Sequence, residues 1–164
     1  MWFSKKPKNE PTDVFLGLRE QALTVTPDAL GIASPKTGSD VCAVLMETGY
    51  TEAVATLVAF SDGSTSLYFS NGGGIIGGGG HESVRAANKL LIASAQANLA
   101  AFAPTIQTPL PPVGVVKFYV RTSAVVLTAE AAEQDLGEGR HPLSPVFYAG
   151  HNVIAAVRQA APQS

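Results

Sequence analysis

The residues whose types could do chemistry begin in a glycine-rich segment in the middle of the chain. Seven of the nine residues from Gly72 to Gly80 are glycine, and His81, Glu82 and Arg85 follow. Glycine at this density exposes backbone N–H groups and permits positive φ, at an entropic cost. Exposed N–H groups beside the N-terminus of a helix bind anions. The pattern therefore indicates an anion site, a moving segment, or a place where another backbone approaches closely.

The glycine-rich segment matches neither of the two familiar nucleotide-binding patterns. A P-loop needs Lys followed by Ser or Thr after the glycines, whereas His81 and Glu82 stand there. The Rossmann fingerprint needs spaced glycines within a parallel βαβ unit. Glu82, at the positive end of a helix, would stabilise that helix and repel phosphate. The alternative interpretation is a connector that lets backbone pack under a helix. Ile75 and Ile76, which are adjacent and β-branched, predict a short extended piece at its centre.

A second unusual segment, Gly137–Tyr148, mixes charges, turn residues and aromatics. Loops of this kind often carry binding function. A lid over one end of the sheet explains the composition equally well, so both interpretations stay open. The candidate ligand-binding residues from the two segments are Gly77, Gly78, Gly79, Gly80, His81, Glu82, Arg85, Arg140 and His141.

The remaining reactive side chains do not form a recognisable catalytic or metal-binding pattern. The histidines are His81, His141 and His151, and no two have HxH or HxxxH spacing. Cys42 is the only cysteine, which excludes an intrachain disulfide and a cysteine-based zinc site. No serine stands in a Gly-x-Ser-x-Gly elbow. We therefore predict no metal, no cofactor and no catalytic residues, and we expect Cys42 to be an inert core thiol.

Composition limits the partners and the compartment. Only 15% of the 164 residues are charged, against about 25% in ordinary globular chains. A weakly charged surface suits a homodimer or a protein partner. The net charge of −2 argues against a general nucleic-acid binder, which needs a basic stripe. The single cysteine and the absence of an apolar run of about 18 residues predict a cytoplasmic protein without a transmembrane helix.

We predict a flexible tail over residues 1–11 and a single domain over residues 12–164. Trp2 and Phe3 precede a lysine-rich cluster, the reverse of the order in a signal peptide. These two aromatics would allow weak contact with a membrane surface, but a frayed terminus is the favoured interpretation.

Hydrophobic periodicity predicts the elements that must position the candidate residues. The predicted helices cover 14–24, 81–102 and 144–158, and the predicted strands cover 41–48, 52–60, 65–70, 113–121 and 124–130. Asp62-Gly63 between two apolar runs predicts a hairpin turn. The buried helix positions are predicted to be Phe15, Leu18, Ala22, Val84, Ala87, Leu91, Ala95, Phe102, Phe147, Ile154 and Val157. Gly150 is expected to weaken the middle of the last helix.

This order of elements predicts an α+β domain. About five strands in two hairpins form an antiparallel sheet, with a long central helix and with N- and C-terminal helices. In element order alone, over about residues 12–160, the chain is similar to profilin-like and roadblock-like modules. That similarity implies a non-enzymatic regulatory or scaffold protein, often dimeric. The sequence thus favours a protein-interaction module that forms a homodimer or binds another protein. The alternative is an anion-binding protein or enzyme that uses Gly72–Gly80 with His81 and Arg85.

Overall fold

The computed structural model of the chain describes residues 10–31, 38–76 and 80–161. Within these ranges the fold is α+β, as predicted, with one antiparallel sheet covered by helices on both faces. Residues 1–9 of the predicted tail, with Trp2 and Phe3, lie outside the described residues. No helix of the described ranges is long and apolar enough to cross a lipid bilayer.

Four helices and seven strands make up the described fold. The helices are α1 (Asp13–Leu23), α2 (Glu82–Ala97), α3 (Glu133–Gly137) and α4 (Ser144–Ala160). The strands are β1 (Val41–Gly49), β2 (Val54–Phe60), β3 (Thr65–Phe69), β4 (Gly74–Ile76), β5 (Ala103–Thr105), β6 (Val115–Thr122) and β7 (Val126–Ala132). Their order in the sheet is β4-β3-β2-β1-β6-β7-β5.

The two faces of the sheet carry different helices because neighbouring residues of a strand point to opposite sides. On β1, Val44 and Met46 belong to the larger core cluster, which α2 and α4 cover. Leu45, between them, belongs to the smaller cluster, to which α1 contributes Phe15. Cys42, which was predicted to be a core thiol, is buried near the start of the same strand.

The predicted turn between β2 and β3 is confirmed. The backbone N–H of Phe60 donates to the carbonyl oxygen of Ser64 at 2.9 Å, and the N–H of Gly63 donates to the carbonyl of Phe60 at 3.0 Å. Gly63 has a φ of +96°, a backbone conformation in which a residue with a side chain would be strained. The second predicted hairpin is also present as β6 and β7.

The sheet has seven strands where about five were predicted, and the two additional ones are short edge strands. Ile75 and Ile76 are extended, as predicted, and they pair with β3 as part of β4. The second addition, β5, lies after the predicted end of the central helix, where no element is predicted, and it pairs with β7. Helix α3 also lies in a segment that was predicted to be a loop. These elements are three to five residues long, too short for a hydrophobic period to reveal them.

Helix α2 ends at Ala97, five residues before the predicted end at Phe102. The side-chain amide of Asn98 donates to the carbonyl of Ser94 at 2.8 Å and caps the last turn. After one turn of 3-10 helix, Phe102 adopts extended backbone. Its ring remains buried as predicted, edge-on to Phe118 with 6.3 Å between the centroids.

Asn88, on α2, is buried although it was not among the predicted core positions. Its amide donates to the carbonyl of Ser64 at 3.1 Å and to the hydroxyl of Thr65 at 2.8 Å. At the other end of α2, Gln96 accepts a hydrogen bond from the backbone N–H of Val41 at 2.9 Å. Helix α2 therefore runs across the sheet, from the β2–β3 turn towards the start of β1.

Gly49, the last residue of β1, lies in close contact with the segment before β6. Substituting it tests that contact. A Cβ there would overlap the carbonyl oxygen of Pro112 and lie 2.6 Å from its carbonyl carbon. We expect Gly49→Ala to lower the free energy of unfolding by about 1–3 kcal/mol, because backbone must move. Gly17→Ala, at a position of α1 with no atom within 4 Å, should instead raise it by about 0.5–1 kcal/mol. Urea denaturation measures both changes in the free energy of unfolding. A Gly49→Ala protein as stable as the wild type would contradict the close contact.

Candidate functional site

A cleft of about 370 Å³ lies between the C-terminal half of α4 and the strands β2 and β3. We call it the α4–β3 cleft. Helix α4 contributes His151, Ile154 and Arg158, whose spacing of three and four residues places them on one helix face. Just before them, Gly150 lies over Met46 of β1, and a Cβ there would be 2.6 Å from the Met46 sulfur. Gly150 thus permits the close contact of α4 with the sheet, a role that helix propensity alone did not predict.

The sheet and two turns form the rest of the α4–β3 cleft. Leu67 and Phe69 alternate with Tyr68 along β3, so they face α4 while Tyr68 belongs to the opposite core cluster. The apolar lining is Ala53, Ala55, Leu67, Phe69 and Ile154, and the polar lining is Tyr50, Glu52, Asn71, His151 and Arg158. An apolar surface with a few polar groups at its rim is the usual character of a small-molecule site.

The phenol of Tyr50, at one side of the α4–β3 cleft, keeps its proton at neutral pH. Burial raises the pKa of Tyr50, and the negative charge of Glu133 raises it further. A hydrogen bond with Thr48 and the positive charge of Arg158 act in the opposite direction without reversing the shift. Its hydroxyl is therefore available as a hydrogen-bond donor.

The environment of His151 favours the neutral imidazole. Burial lowers the pKa of His151, and the opposing effect of Glu133 is smaller. Its Nε2 is buried and has no hydrogen-bond partner among the described residues. Its ring packs on Phe147, with 4.4 Å between the ring centroids. A charged imidazole would lose hydration in this position, which is why the neutral form is favoured.

The lowered pKa of His151 predicts a pH dependence of stability. Well above about pH 6.5 the imidazole is neutral in both the folded and the unfolded chain. As the pH falls below that value the unfolded chain takes up the proton first, so the free energy of unfolding should decrease. We expect His151→Gln to reduce this decrease between about pH 6.5 and pH 5, and His81→Gln, on an exposed residue, to leave it unchanged. Urea titrations at several pH values measure the effect, and an identical pH profile in His151→Gln would contradict it.

The structure places part of the predicted glycine-rich site at the start of α2. Gly77, Gly78 and Gly79 lie outside the described residues. Gly80, His81 and Glu82 are exposed, and His81 occupies the N-cap position without a capping hydrogen bond from its side chain. Arg85 lies near the β2–β3 turn, since a Cβ on Gly63 would be 3.5 Å from Cγ of Arg85. This group is therefore close to the β3 side of the sheet.

Arg140 and His141 lie towards the other edge of the sheet, in the connection from α3 to α4. Arg140 forms ion pairs with Asp135 at 3.1 Å and Glu138 at 2.5 Å. Nδ1 of His141 accepts a hydrogen bond from the backbone N–H of Leu143 at 3.0 Å. Helix α3 follows β7, and three strands separate β7 from β3. These two strands are therefore on the order of 19 Å apart. The structure does not bring these two residues together with His81 and Arg85. An anion-binding role for the glycine-rich segment stays a prediction.

A buried ion pair between α1 and β1 was missed by the sequence analysis. Glu47 is fully buried, and Arg19 donates to both of its carboxylate oxygens, from Nε at 2.8 Å and from a terminal nitrogen at 2.9 Å. The hydroxyl of Thr56 donates to the same carboxylate at 2.6 Å. The Arg19 guanidinium lies 5.4 Å from the ring centroid of Tyr119. The sequence contained one signal of this ion pair. Glu47 is a charged residue within the apolar run of β1.

The same cluster fastens the segment between β5 and β6 to the sheet. Arg19 also donates to the carbonyl of Thr108, and the Tyr119 hydroxyl donates to the carbonyl of Pro109. Burial, and then the charge of Glu47, raises the pKa of Tyr119 to about 12. Burial acts to lower the pKa of Arg19, but its contacts with Glu47 outweigh this and raise it. These partners give the cluster a structural role, which is to hold α1 and this segment on the sheet.

The fold and the α4–β3 cleft define an α+β protein with a helix-covered antiparallel sheet and a cleft of small-molecule size. Within the described ranges, no three His, Cys, Asp or Glu side chains are placed to hold a metal ion together. Comparison of the chain with protein-family models, curated proteins and solved structures finds no match. The function must therefore be argued from the site itself.

Proposed function

We propose that this protein is a non-enzymatic binding module that holds a small, partly apolar molecule in the α4–β3 cleft. The observation that carries the proposal is the cleft itself, with about 370 Å³ of space. Ligand sites range from about 300 to 1,000 Å³, so the cleft suits a small ligand.

The chemistry of the lining supports this function. Leu67, Phe69 and Ile154 offer apolar surface, and covering it would favour binding by the hydrophobic effect. Tyr50 and Arg158 offer hydrogen-bond donors at the rim. Apolar contacts of this kind contribute affinity, while a few polar groups orient the ligand. The ring of His151 adds further surface to the lining.

Titration of the isotope-labelled protein with indole tests the proposal. We expect the amide resonances of Ala53, Leu67 and Phe69 to shift together in the NMR spectrum. Ile154→Trp fills the cleft and should abolish these shifts. Leu90→Trp places the same side chain at a site of α2 that is 66% exposed, and it should leave them intact. Shifts that lie elsewhere, or that persist in Ile154→Trp, would overturn the proposal.

A second candidate function is self-association, which a specific apolar edge favours. Thr105 of β5 pairs with Val126 of β7, and continuing this antiparallel register places Ile106 beside Val125. Ile106 is completely exposed and Val125 is 41% exposed. Pro104 has no N–H to donate, so this edge does not favour the addition of another strand. Contact between side chains of two copies would bury the apolar pair.

Sedimentation velocity tests the homodimer. We expect a species of twice the 17.0 kDa chain mass at micromolar concentration, and we expect Ile106→Asp to convert it to monomer. Val14→Asp, at an equally apolar site of α1 that is 71% exposed, should leave the dimer intact. A monomeric wild-type protein would contradict self-association. A dimer insensitive to Ile106→Asp would place the interface elsewhere.

A further inference from the structure

Opposite charges line the α4–β3 cleft without neutralising each other. Arg158 extends from α4, and Glu52 lies in the turn between β1 and β2. Neither forms an ion pair within 4.0 Å with a described residue. Leu67, Phe69 and Ile154 add apolar surface to the same lining. The cleft therefore presents a positive group, a negative group and an apolar wall to one bound molecule.

We infer that the ligand of the α4–β3 cleft is a small zwitterion with an apolar body, of the type of an α-amino acid with an apolar side chain. This inference rests on the proposed function. The guanidinium of Arg158 would hold the carboxylate, because its planar fork matches the two carboxylate oxygens. The carboxylate of Glu52 would hold the ammonium group. The apolar side chain would cover Phe69 and Ile154.

The charge balance of the cleft distinguishes this class from singly charged ligands. A carboxylic acid without an amine would pair with Arg158 but would bring a second negative charge near Glu52. An amine without a carboxylate would leave Arg158 unpaired while covering the polar rim. Burying a charge without a partner is costly, whereas a zwitterion supplies a partner to each side. Tyr50 adds an uncharged hydroxyl to the same lining.

Four small aromatic probes separate these alternatives. L-Phenylalanine carries both charges, N-acetyl-L-phenylalanine lacks the ammonium, L-phenylalaninamide lacks the carboxylate, and benzyl alcohol carries no charge. Each is titrated into the full chain, and the shifts of the cleft amides give the affinity. We expect L-phenylalanine to bind at least ~10-fold more tightly than either singly charged probe, since charge-assisted hydrogen bonds are the stronger ones.

Charge-removing variants assign each half of the ligand. Arg158→Gln should reduce the affinity for L-phenylalanine to that for L-phenylalaninamide, and Glu52→Gln should reduce it to that for N-acetyl-L-phenylalanine. Matched controls on exposed charges away from the cleft, Lys89→Gln and Glu20→Gln, should leave the affinity unchanged. Circular dichroism confirms that each variant is folded.

The possible outcomes separate the ligand class from the cleft function. If all four probes shift the cleft amides with equal affinity, or a singly charged probe binds best, the zwitterion is wrong and the binding function stands. If L-phenylalanine binds best but neither Arg158→Gln nor Glu52→Gln weakens it, the assignment of the charges is wrong. If no probe and no indole shifts a cleft resonance, both the ligand class and the proposed function fail.

Discussion

Arg19→Met should lower the free energy of unfolding by about 3–5 kcal/mol, which is the usual cost of removing one partner of a buried ion pair. The Glu47 carboxylate would keep its full burial but lose both hydrogen bonds from Arg19. The segment between β5 and β6 would also lose its bond from Arg19 to the carbonyl of Thr108. Urea denaturation at neutral pH measures the change.

Two further variants separate the buried charge from lost packing. The double variant Arg19→Met with Glu47→Met removes both charges, and it should recover a large part of the lost stability. Arg140→Met breaks the exposed ion pairs with Asp135 and Glu138 and should cost less than about 1 kcal/mol. A cost of this small size for Arg19→Met, or a double variant less stable than the single one, would contradict the interpretation of the cluster.

Leu91→Ala should lower the free energy of unfolding by about 2–5 kcal/mol, because it opens a cavity in the core between α2 and the sheet. Leu91 has no exposed surface, while its neighbour Leu90 is 66% exposed. Leu90→Ala on the same helix is therefore a matched control, and its effect should remain within about 0.5 kcal/mol. Denaturant unfolding compares the two. Similar values for both positions would show that the buried face of α2 is assigned wrongly.

Long elements could be predicted because their signals repeat within a few residues. Val84, Leu91 and Ala95 follow the 3.6-residue period of α2, and all three are buried. The Asp62-Gly63 pair predicted its turn for a comparably local reason, since it depends on backbone conformations that Gly63 adopts. The end of α2 was predicted too late because a side-chain cap at Asn98 and the following turn outweigh the continued apolar pattern.

The candidate site could be predicted only in part. The sequence directed attention to glycines and to charged residues that are close together in the chain, such as His81 and Arg85. His151 was noted as a histidine, but nothing in its neighbourhood marked it as part of a cleft. Tyr50 and Arg158 had no local signal at all, because they are separated by about two thirds of the chain and meet only through the path of α4.

The sequence by itself determined the α+β class, the β2–β3 and β6–β7 hairpins and the buried face of α2. Each of these depends on hydrophobic alternation or turn chemistry between residues that are near in the chain. Only the tertiary structure decided the short strands β4 and β5, the Arg19–Glu47 pair and the α4–β3 cleft. A three-residue strand is stable only beside a partner, and a buried charge only beside its counter-ion. Whether those partners are present depends on how the helices cross the sheet, which no local pattern encodes.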